Sequence, residues 1–516
     1  MRFNLPIRDR DAVRNYEGAQ AYALNPALAL YATVVTASLS DQFYETAPDR
    51  LVRIRELVAQ NDPYFVAQLA VYARETMHLR SVPLVLAVEL ARLHAGDGLV
   101  GRLVSRVVQR ADEIAELLAC YQSANGRTGT KRLNRLSKQV QRGLAEAFNR
   151  FDAYQFAKYD RVASDRVASD RAAEVRLRDA LFLVHPKAKS GEQQAIFDQI
   201  AADALPMPYT WETELSALGQ RGFDSAAARQ AAFRATWEEL IFSGKVGYMA
   251  LLRNLRNLLE AGVNREAVVH VARVLGNAHA VANSKQLPFR FLSAYREVKA
   301  VQSGHVPLVL DALERAVAHA AANIRGFDET TRVVLAADVS GSMQRPVSAR
   351  SNVQNFDVGL VLAMLLQSRC ANVTTGIFGD RWKVIQVPHT NILANVEEFH
   401  RREGEVGYAT NGHLVVQDLL DRRVVADKVM LFTDCQLWDS HTGNPTGLAA
   451  VWRRYKILAP QARLYLFDLA GYGNAPLRVN DADVAFVAGW SDKIFDVLAA
   501  LESGGSAVAE LRNVVV

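Results

Sequence analysis

The spacing of apolar residues divides the chain into two parts. As far as about residue 325, apolar residues recur at the three- and four-residue spacing of amphipathic helices. The clearest helical segments are residues 51–59, 64–76, 81–93 and 99–119. Because no long alternating strand pattern interrupts them, we expect an all-α array of HEAT-like repeats, in which each helix pair buries its apolar face on its neighbours.

From Thr331 onward, short apolar runs typical of buried strands alternate with helical segments. Strands are predicted at 332–337, 374–378, 428–433 and 463–467, and helices at 356–370, 391–401, 411–420, 448–455 and 491–501. This alternation predicts a doubly wound, Rossmann-like α/β domain with functional residues at the C-terminal ends of its parallel strands. The predicted domains are therefore residues 1–325 and residues 326–516.

Charge is distributed unevenly between these two parts. Residues 1–325 contain 42 Lys and Arg against 34 Asp and Glu, a net charge of +8, whereas residues 326–516 contain 18 against 21, a net charge of −3. The basic part is a candidate binder of polyanions, although an ordinary solvated surface would give the same balance.

The chain shows no sign of export or membrane insertion. Residues 1–9 hold no long apolar run, and no stretch approaches the about 18–20 apolar residues of a membrane span. The three cysteines, Cys120, Cys370 and Cys435, are too far apart for a zinc motif and odd in number for a disulfide framework. We therefore expect a soluble cytoplasmic protein with reduced thiols.

A set of oxygen-bearing residues follows the predicted strands. Asp338, Ser340 and Ser342 form a D-x-S-x-S motif after the first strand, Thr410 precedes a helix, and Asp434 follows another strand. Two carboxylates and three hydroxyls form a set of ligands that a hard cation such as Mg²⁺ prefers. The alternative is that the motif only caps a helix.

The same region offers no pair of nucleophile and general base. His413 and Asp418 lie close to Thr410 in sequence, and we expect them on a helix surface. A metal-dependent hydrolase needs an activated-water site, and the sequence shows none. The sequence therefore favours a binding protein over an enzyme.

Basic residues in the helical part suggest contact with nucleic acid. Lys131, Arg135, Lys138 and Arg142 fall on one face of a helix predicted within residues 127–142. Such a stripe can follow a phosphate backbone, or it can simply face solvent.

Three further residues are candidates for RNA contact. His185 ends a helix before a proline, where its ring could donate to phosphate or pack as a neutral side chain. Arg253 and Arg256 interrupt an apolar helix and could face a cavity.

Four segments, in order, resemble the Ro autoantigen family in a bacterial version, with a TROVE domain followed by a von Willebrand factor A domain. They are LFLVHPK at 181–187, ALLRNL at 250–255, LPFRFL at 287–292 and VLAADVSGSM at 334–343. The resemblance implies a monomeric ring of HEAT-like repeats closed by the A domain. It also implies that the five oxygen-bearing residues form a metal-ion-dependent adhesion site.

The resemblance further implies that the protein is a scaffold for RNA processing and decay. Small noncoding Y RNA would bind the basic outer surface, single-stranded 3′ ends of misfolded RNA would enter a central hole, and the exoribonuclease polynucleotide phosphorylase would be a partner. Lys158, Arg161 and His185 would contact the Y RNA, with Arg161 inside a tandem duplication in which residues 160–164 recur as 165–169. Where the family commonly has Gly-Gly before the metal-site threonine, this chain has Tyr408 and Ala409.

The alternative function is a protein-interaction adaptor without direct RNA binding. Its metal would capture a carboxylate of a partner, and the helical part would be a docking surface. RNA binding should weaken steeply with salt, whereas metal–carboxylate binding should be lost with a chelator.

Overall fold

The structure, a computed structural model, describes residues 11–36, 42, 44–126, 136–159, 175–322, 324, 327–348, 351–441, 447–479, 483–504 and 506–516. The chain forms two compact units. The mixed unit comprises Met1–Leu51 and Gly247–Glu510, and the helical unit comprises Val52–Val246 and Leu511–Val516. These units reflect compactness, whereas the predicted limit between residues 325 and 326 marks a change in secondary structure.

The described residues form helices and strands in the following order. The helices are α1 (Pro26–Val35), α2 (Ala47–Gln60), α3 (Pro63–Glu75), α4 (Ser81–Leu93), α5 (Leu99–Val107), α6 (Asp112–Ala124), α7 (Lys138–Phe148), α8 (Ala153–Tyr159), α9 (Leu177–Val184), α10 (Gly191–Ala201), α11 (Trp211–Gly219), α12 (Ala226–Phe242), α13 (Tyr248–Glu260), α14 (Arg265–Leu275), α15 (Ala278–Ser284), α16 (Phe289–Lys299), α17 (Val306–Ala320), α18 (Asn355–Gln367), α19 (Ile392–Arg401), α20 (His413–Asp421), α21 (Gly447–Leu458), α22 (Ile494–Glu502) and α23 (Ala507–Arg512). The strands are β1 (Ala12–Arg14), β2 (Gln20–Ala23), β3 (Arg332–Asp338), β4 (Asn372–Phe378), β5 (Trp382–Val384), β6 (Lys428–Thr433), β7 (Arg463–Asp468), β8 (Asn474–Ala475) and β9 (Val484–Ala488).

The helical unit packs helices that are close together along the chain, such as α3 with α4 and α5 with α7. α3 covers the predicted segment 64–76 apart from its last residue and begins at Pro63, and Asp62 caps it by accepting the backbone N–H of Phe65 at 3.0 Å. Packing of sequential helices confirms the predicted helical-repeat class for this part of the chain.

One predicted helix is two helices. The segment 99–119 breaks between α5 and α6, because the buried carboxylate of Glu113 accepts the backbone N–H groups of Gln109 and Arg110 at 2.8 and 3.1 Å. Glu113 also forms an ion pair with Arg74 at 2.7 Å. An amphipathic pattern continues through such a turn, so periodicity alone did not reveal it.

The mixed unit contains a six-stranded sheet in the order β5-β4-β3-β6-β7-β9. β4, β3, β6, β7 and β9 are parallel, and only the edge strand β5 is antiparallel. This arrangement confirms the predicted doubly wound α/β fold. β5 and β9, of three and five residues, were not predicted.

The N-terminal segment is part of the mixed unit. β1 and β2 form a hairpin, and β2 pairs with β8 through Tyr22 and Ala475. The side chain of Arg50, fully buried, donates to the carbonyl of Ala470 at 2.9 Å. The prediction of helices alone before residue 325 is therefore wrong at β1 and β2, and the outer partner of β2 lies some 450 residues away in the sequence.

None of the helices in the described part of the chain is both long and apolar enough to cross a bilayer.

Candidate metal and RNA sites

The sheet brings the two predicted metal-site carboxylates to one edge. β3 and β6 are parallel neighbours, with Ala337 paired to Phe432. Asp338 therefore ends one strand beside Asp434, which follows the other. Ser340 and Ser342 lie in the turn after β3, Thr410 precedes α20, and all five predicted ligands are buried.

Hydrogen bonds fix the first carboxylate. The backbone N–H of Ser340 donates to Asp338 Oδ1 at 2.9 Å, and the Thr433 hydroxyl donates to Asp338 Oδ2 at 2.6 Å. The hydroxyl oxygens of Ser340 and Ser342 lie 3.3 Å apart. The motif therefore forms a compact group of oxygen atoms.

The second carboxylate has an unpaired oxygen. The backbone N–H of Gln436 donates to Asp434 Oδ1 at 3.0 Å, whereas Oδ2 is buried and has no hydrogen-bond partner within the described residues. Burial raises the pKa of Asp434 and that of Asp338, and the charge of Asp434 raises the pKa of Asp338 further. A buried, unpaired anionic oxygen is costly without a cation. The donor set therefore fits a hard divalent cation, which Asp338, Ser340, Ser342, Thr410 and Asp434 could hold directly or through water.

The loop before Thr410 forms its turn without the family's Gly-Gly pair. Gly407 adopts a φ of 72°, and a side chain there would collide with Asp380. The carbonyl of the next residue, Tyr408, accepts the backbone N–H of Gly341 from the D-x-S-x-S turn at 3.1 Å. Gly407 thus supplies the conformational freedom, and an exposed tyrosine is accommodated after it.

His413 is buried, so its expected place on a helix surface is wrong. Its Nε2 lies 3.7 Å from Asp439 Oδ1, and burial lowers the pKa of its ring. The ring lines a small cavity beside Thr410 because the chain after β6 folds over the start of α20. Asp418 instead pairs with Arg422 on the outer side of α20 at 3.2 Å.

Sequence reasoning missed the turn between β1 and β2, which also lies at this edge. The Asn15 side chain donates to the carbonyl of Leu437 at 2.9 Å, and the backbone N–H of Tyr16 donates to Gln436 Oε1 at 2.9 Å. No local pattern could have placed these residues next to the chain that follows Asp434.

The predicted basic stripe is only partly within the described residues. Lys131 and Arg135, like Arg161 and the duplication around it, lie outside them. The prediction that the four basic residues share one face of a single helix is wrong, because Ser137 has extended backbone and its hydroxyl caps α7 by accepting the N–H of Val140. Lys138 and Arg142 share an exposed face of α7.

α7 lies against the end of α9, where His185 is found. Gln141 donates to the carbonyl of Val184 at 3.1 Å, and Asn149 donates to the carbonyl of Lys187 at 2.9 Å. His185 has a φ of 49° and an exposed side chain, so the alternative of a ring packed in the interior is wrong. The tight turn at His185 directs the chain away from α9 and exposes the ring.

These contacts gather four residues, Lys138, Arg142, His185 and Lys187, which we call the basic cluster. All four side chains are exposed. Arg142 has a solvent-exposed ion pair with Glu146 at 3.5 Å, a contact worth about 0–1 kcal/mol. Lys138 and Lys187 have no acidic partner within the part of the chain that the structure describes.

Lys158 lies on α8 among aromatic rings. Its ammonium is 5.8 Å from the ring centre of Tyr154 and 5.7 Å from that of Tyr159. Arg110 covers the Tyr159 ring at 4.5 Å. Among the residues that the structure describes, the half-buried Lys158 therefore contacts aromatic rings rather than a carboxylate.

The two arginines of α13 differ in their partners. Arg256 donates to Glu260 at 2.8 Å and to Glu297 at 3.3 Å. Arg253 is exposed and has no acidic partner among the described residues. Partial desolvation and the positive charge of Arg253 lower the pKa of Arg290 on α16, a residue that sequence reasoning did not select. Arg253 and Arg290 are thus carried by the packed helices α13 and α16, and neither has an acidic partner among the described residues, an arrangement that attracts an anion.

Comparison with known proteins gives consistent results. A family model of the TROVE domain matches residues 32–202 and 201–323, more than half of the chain. Proteins of Rattus norvegicus and Mus musculus, both named Telomerase protein component 1, are 24% identical over 307 and 322 residues, which are 46% and 49% of this chain. The chain spans only 11% and 12% of the length of those relatives.

A solved structure shares the fold. The crystal structure titled Deinococcus radiodurans RO (RSR) protein matches with a TM-score of 0.56 and 17% identity, covering 93% of this chain and 100% of that chain. With helices followed by a parallel α/β sheet and a TROVE match over most of the helical part, this chain belongs to the TROVE-domain family, the family of RNA-binding Ro-type proteins.

Proposed function

We propose that this chain is a non-enzymatic scaffold that binds a small structured RNA of the Y RNA class on the helical unit and a single-stranded RNA 3′ end on the mixed unit. Its role would be the processing, quality control or decay of RNA. The observation that carries the proposal is the basic cluster, in which cations from α7 and from the chain after α9 are exposed together.

Binding through the basic cluster would be electrostatic. Lysine and arginine that neutralise phosphates release counterions, so affinity falls with salt by a logarithmic slope of about 0.9 per contact on a duplex and about 0.7 on a single strand. His185 would add a hydrogen-bond donor, and the ring-held Lys158 would lie at the edge of the same surface.

The test is binding of a stem-loop RNA with a free 3′ tail, measured by fluorescence anisotropy at several salt concentrations. The double variant Lys138→Glu, Lys187→Glu should weaken binding at least about tenfold and lower the salt slope by about 1.5–2. Arg454→Glu reverses an exposed charge on α21 and serves as the control. Equal affinity of the double variant and the control would exclude this surface.

A single-stranded 3′ end would bind at Arg253 and Arg290. The guanidinium of Arg253 is available to phosphate, whereas that of Arg256 is already held by two glutamates. Arg253→Ala should therefore weaken binding of the tail, measured with and without the tail on the same stem-loop. Arg256→Ala is the matched control, and equal losses in the two variants would contradict this assignment.

Mg²⁺ would bind at the five oxygen-bearing residues and offer an open coordination position to a carboxylate of a partner. The unpaired Asp434 Oδ2 supports this proposal. Magnesium at about 100 times its Kd should stabilise the wild type by about 2.7 kcal/mol, and chelator should remove this effect. Asp434→Asn should lose the stabilisation by magnesium, and a variant that keeps it would exclude Asp434 as a ligand.

The adaptor without RNA binding is the competing function, favoured by the same unpaired oxygen. RNA binding that is sensitive to salt and survives chelation would support the scaffold, whereas no RNA binding in any condition would leave the adaptor. Polynucleotide phosphorylase is the protein partner to test first, with and without magnesium.

A further inference from the structure

Phe182 is an exposed aromatic side chain at the margin of the basic cluster. It lies on α9, three residues before His185, and its side chain is 51% exposed. By contrast, Phe148 on α7 and Phe156 on α8 are fully buried. Among the residues that the structure describes, no other aromatic ring contacts Phe182. Because phenylalanine has no polar atom, this side chain presents an unshielded aromatic surface to solvent.

Cationic and polar groups lie on both sides of this ring along α9. The guanidinium carbon of Arg178, one turn earlier, is 5.8 Å from the ring centre, and that guanidinium is held by Asp203 at 2.6 Å. The backbone N–H of His185 still donates to the carbonyl of Leu181 at 2.9 Å, so His185 follows Phe182 by about one helical turn. The exposed ring therefore lies between a fixed guanidinium and the imidazole of the basic cluster.

The contacts between α9 and α7 bring the other cations of the basic cluster to the same end of α9. Gln141, on α7 beside Arg142, donates to the carbonyl of Val184 at 3.1 Å, and Val184 is two residues beyond Phe182. The chain then turns and continues to the exposed Lys187. An aromatic surface next to exposed cations is the combination by which proteins bind unpaired nucleotides, since cations contact phosphates and rings stack on bases.

We propose that Phe182 stacks on an unpaired base of the bound RNA, so that this surface recognises a stem interrupted by a bulge or an internal loop. The inference rests on the proposed binding of structured RNA to the basic cluster. Bases inside a continuous RNA helix are stacked on one another, whereas an unpaired base can leave the stack and lie on an aromatic ring. Phosphate contacts are the same for every stem, so Phe182 supplies the discrimination between a continuous and an interrupted one.

The experiment measures RNA binding of the full chain by fluorescence anisotropy. The probes are a fully paired stem-loop and a series of stem-loops with one unpaired adenosine at successive positions of the stem. Phe182→Leu should weaken binding of the tightest interrupted stem-loop about tenfold, because leucine is apolar but cannot stack on a base. Its affinity for the paired stem-loop and its salt slope should equal those of the wild type, since no phosphate contact is removed.

Two further variants separate stacking from a general effect on the fold. Phe182→Tyr keeps an aromatic ring and should bind the interrupted stem-loop as the wild type does. Phe242→Leu is the matched control, because Phe242 is 47% exposed on α12 and should not affect RNA binding. Thermal melting should give the same Tm for Phe182→Leu and the wild type, since the side chain is exposed.

Replacing the unpaired adenosine by an abasic nucleotide tests the contact from the RNA side. This change should weaken binding by the wild type and leave binding by Phe182→Leu unchanged. Equal affinities of Phe182→Leu and the wild type for every interrupted stem-loop overturn the inference, and RNA binding through the basic cluster then still stands if Lys138→Glu, Lys187→Glu weakens it. Absence of RNA binding by the wild type overturns the proposed function, and this inference with it.

Discussion

Replacing Arg296 by methionine is expected to destabilise the mixed unit strongly. Arg296, on α16, donates to both oxygens of Asp357 on α18 at 2.7 and 2.8 Å and to Glu397 on α19 at 2.7 Å. His400 Nδ1 lies 3.0 Å from Asp357 Oδ1. One guanidinium thus joins a helix of the TROVE match to two helices of the α/β fold.

The magnitude follows from the burial of the pair. The Asp357 side chain is fully buried and that of Arg296 is 12% exposed. Removing one partner of a buried ion pair costs about 3–5 kcal/mol, because the other charge remains without compensation. His400 and the backbone N–H of Gln354, which donates to Asp357 Oδ2 at 2.8 Å, still stabilise the carboxylate. We therefore expect the lower end of that range, about 3 kcal/mol.

Urea unfolding monitored by circular dichroism is the assay. With a slope of about 3 kcal/mol/M, the midpoint of Arg296→Met should fall by about 1 M. Lys299→Met is the control, because Lys299 is 56% exposed and 3.8 Å from Glu397, a contact worth about 0–1 kcal/mol. Adding Asp357→Asn to Arg296→Met should recover part of the loss, since the uncompensated charge is then removed.

Two results would refute this reasoning. A midpoint for Arg296→Met within about 0.3 M of that for Lys299→Met would mean that the ion pair contributes little beyond a surface contact. A double variant less stable than Arg296→Met by the full cost of a second lost contact would mean that the buried charge is not the cause.

Three further predictions concern single contacts. The hydrogen bond to Asp357 raises the pKa of His400, so the stabilisation by this pair is complete below the ordinary histidine pKa of 6.5 and is lost as pH rises through the higher folded value. The loss of urea midpoint in His400→Gln should therefore be larger at about pH 5.5 than at about pH 9. Equal losses at the two pH values would contradict this. A Cβ on Gly143 would lie 2.5 Å from the carbonyl oxygen of Gly101 and 2.7 Å from Val104 Cβ, so Gly143→Ala should lower the free energy of unfolding by about 1–3 kcal/mol. The control Gly191→Ala, whose Cβ would have nothing within 4 Å, should be near neutral. Similar melting temperatures for the two variants would exclude the close packing of α5 on α7. Glu314 accepts the backbone N–H groups of Leu393 and Ala394 at 3.0 and 2.8 Å at the start of α19. Glu314→Ala should therefore lower the free energy of unfolding in urea by about 1–2 kcal/mol, and Glu314→Gln should lower it less, because glutamine keeps an acceptor oxygen. Identical losses in the two variants would mean that the acceptor oxygen does not stabilise the helix start.

The order of elements could be predicted because their patterns are local. Helical spacing before residue 325 and strand–helix alternation after Thr331 both follow from which face of each segment is buried. The position of Asp338 beside Asp434 at the candidate metal site was also predictable, since parallel strands place the residues that end them at one edge of the sheet. Asp338 and Asp434 meet there for that reason.

Short strands and helix breaks were harder to predict from the sequence. β5 and β9 carry too few residues for a distinct pattern, and the break between α5 and α6 depends on the carboxylate of Glu113, which Arg74 pairs from another helix. The prediction of one helix for the four basic residues was wrong because Ser137, which can also continue a helix, caps α7.

The sequence by itself determined the classes of structure, the family and the oxygen-bearing side chains of the candidate metal site, because each depends on residue identity and near-neighbour spacing. Only the tertiary structure decided which charges are compensated within the described part of the chain: Arg256 pairs with Glu297 from another helix, whereas Arg253 has no acidic partner there and lowers the pKa of Arg290 through its charge. It also decided that Asn15 and Tyr16 lie at an edge formed some 400 residues later in the chain. Electrostatic and hydrogen-bonding partners act over a few ångströms in space, and separation along the chain carries no information about that distance.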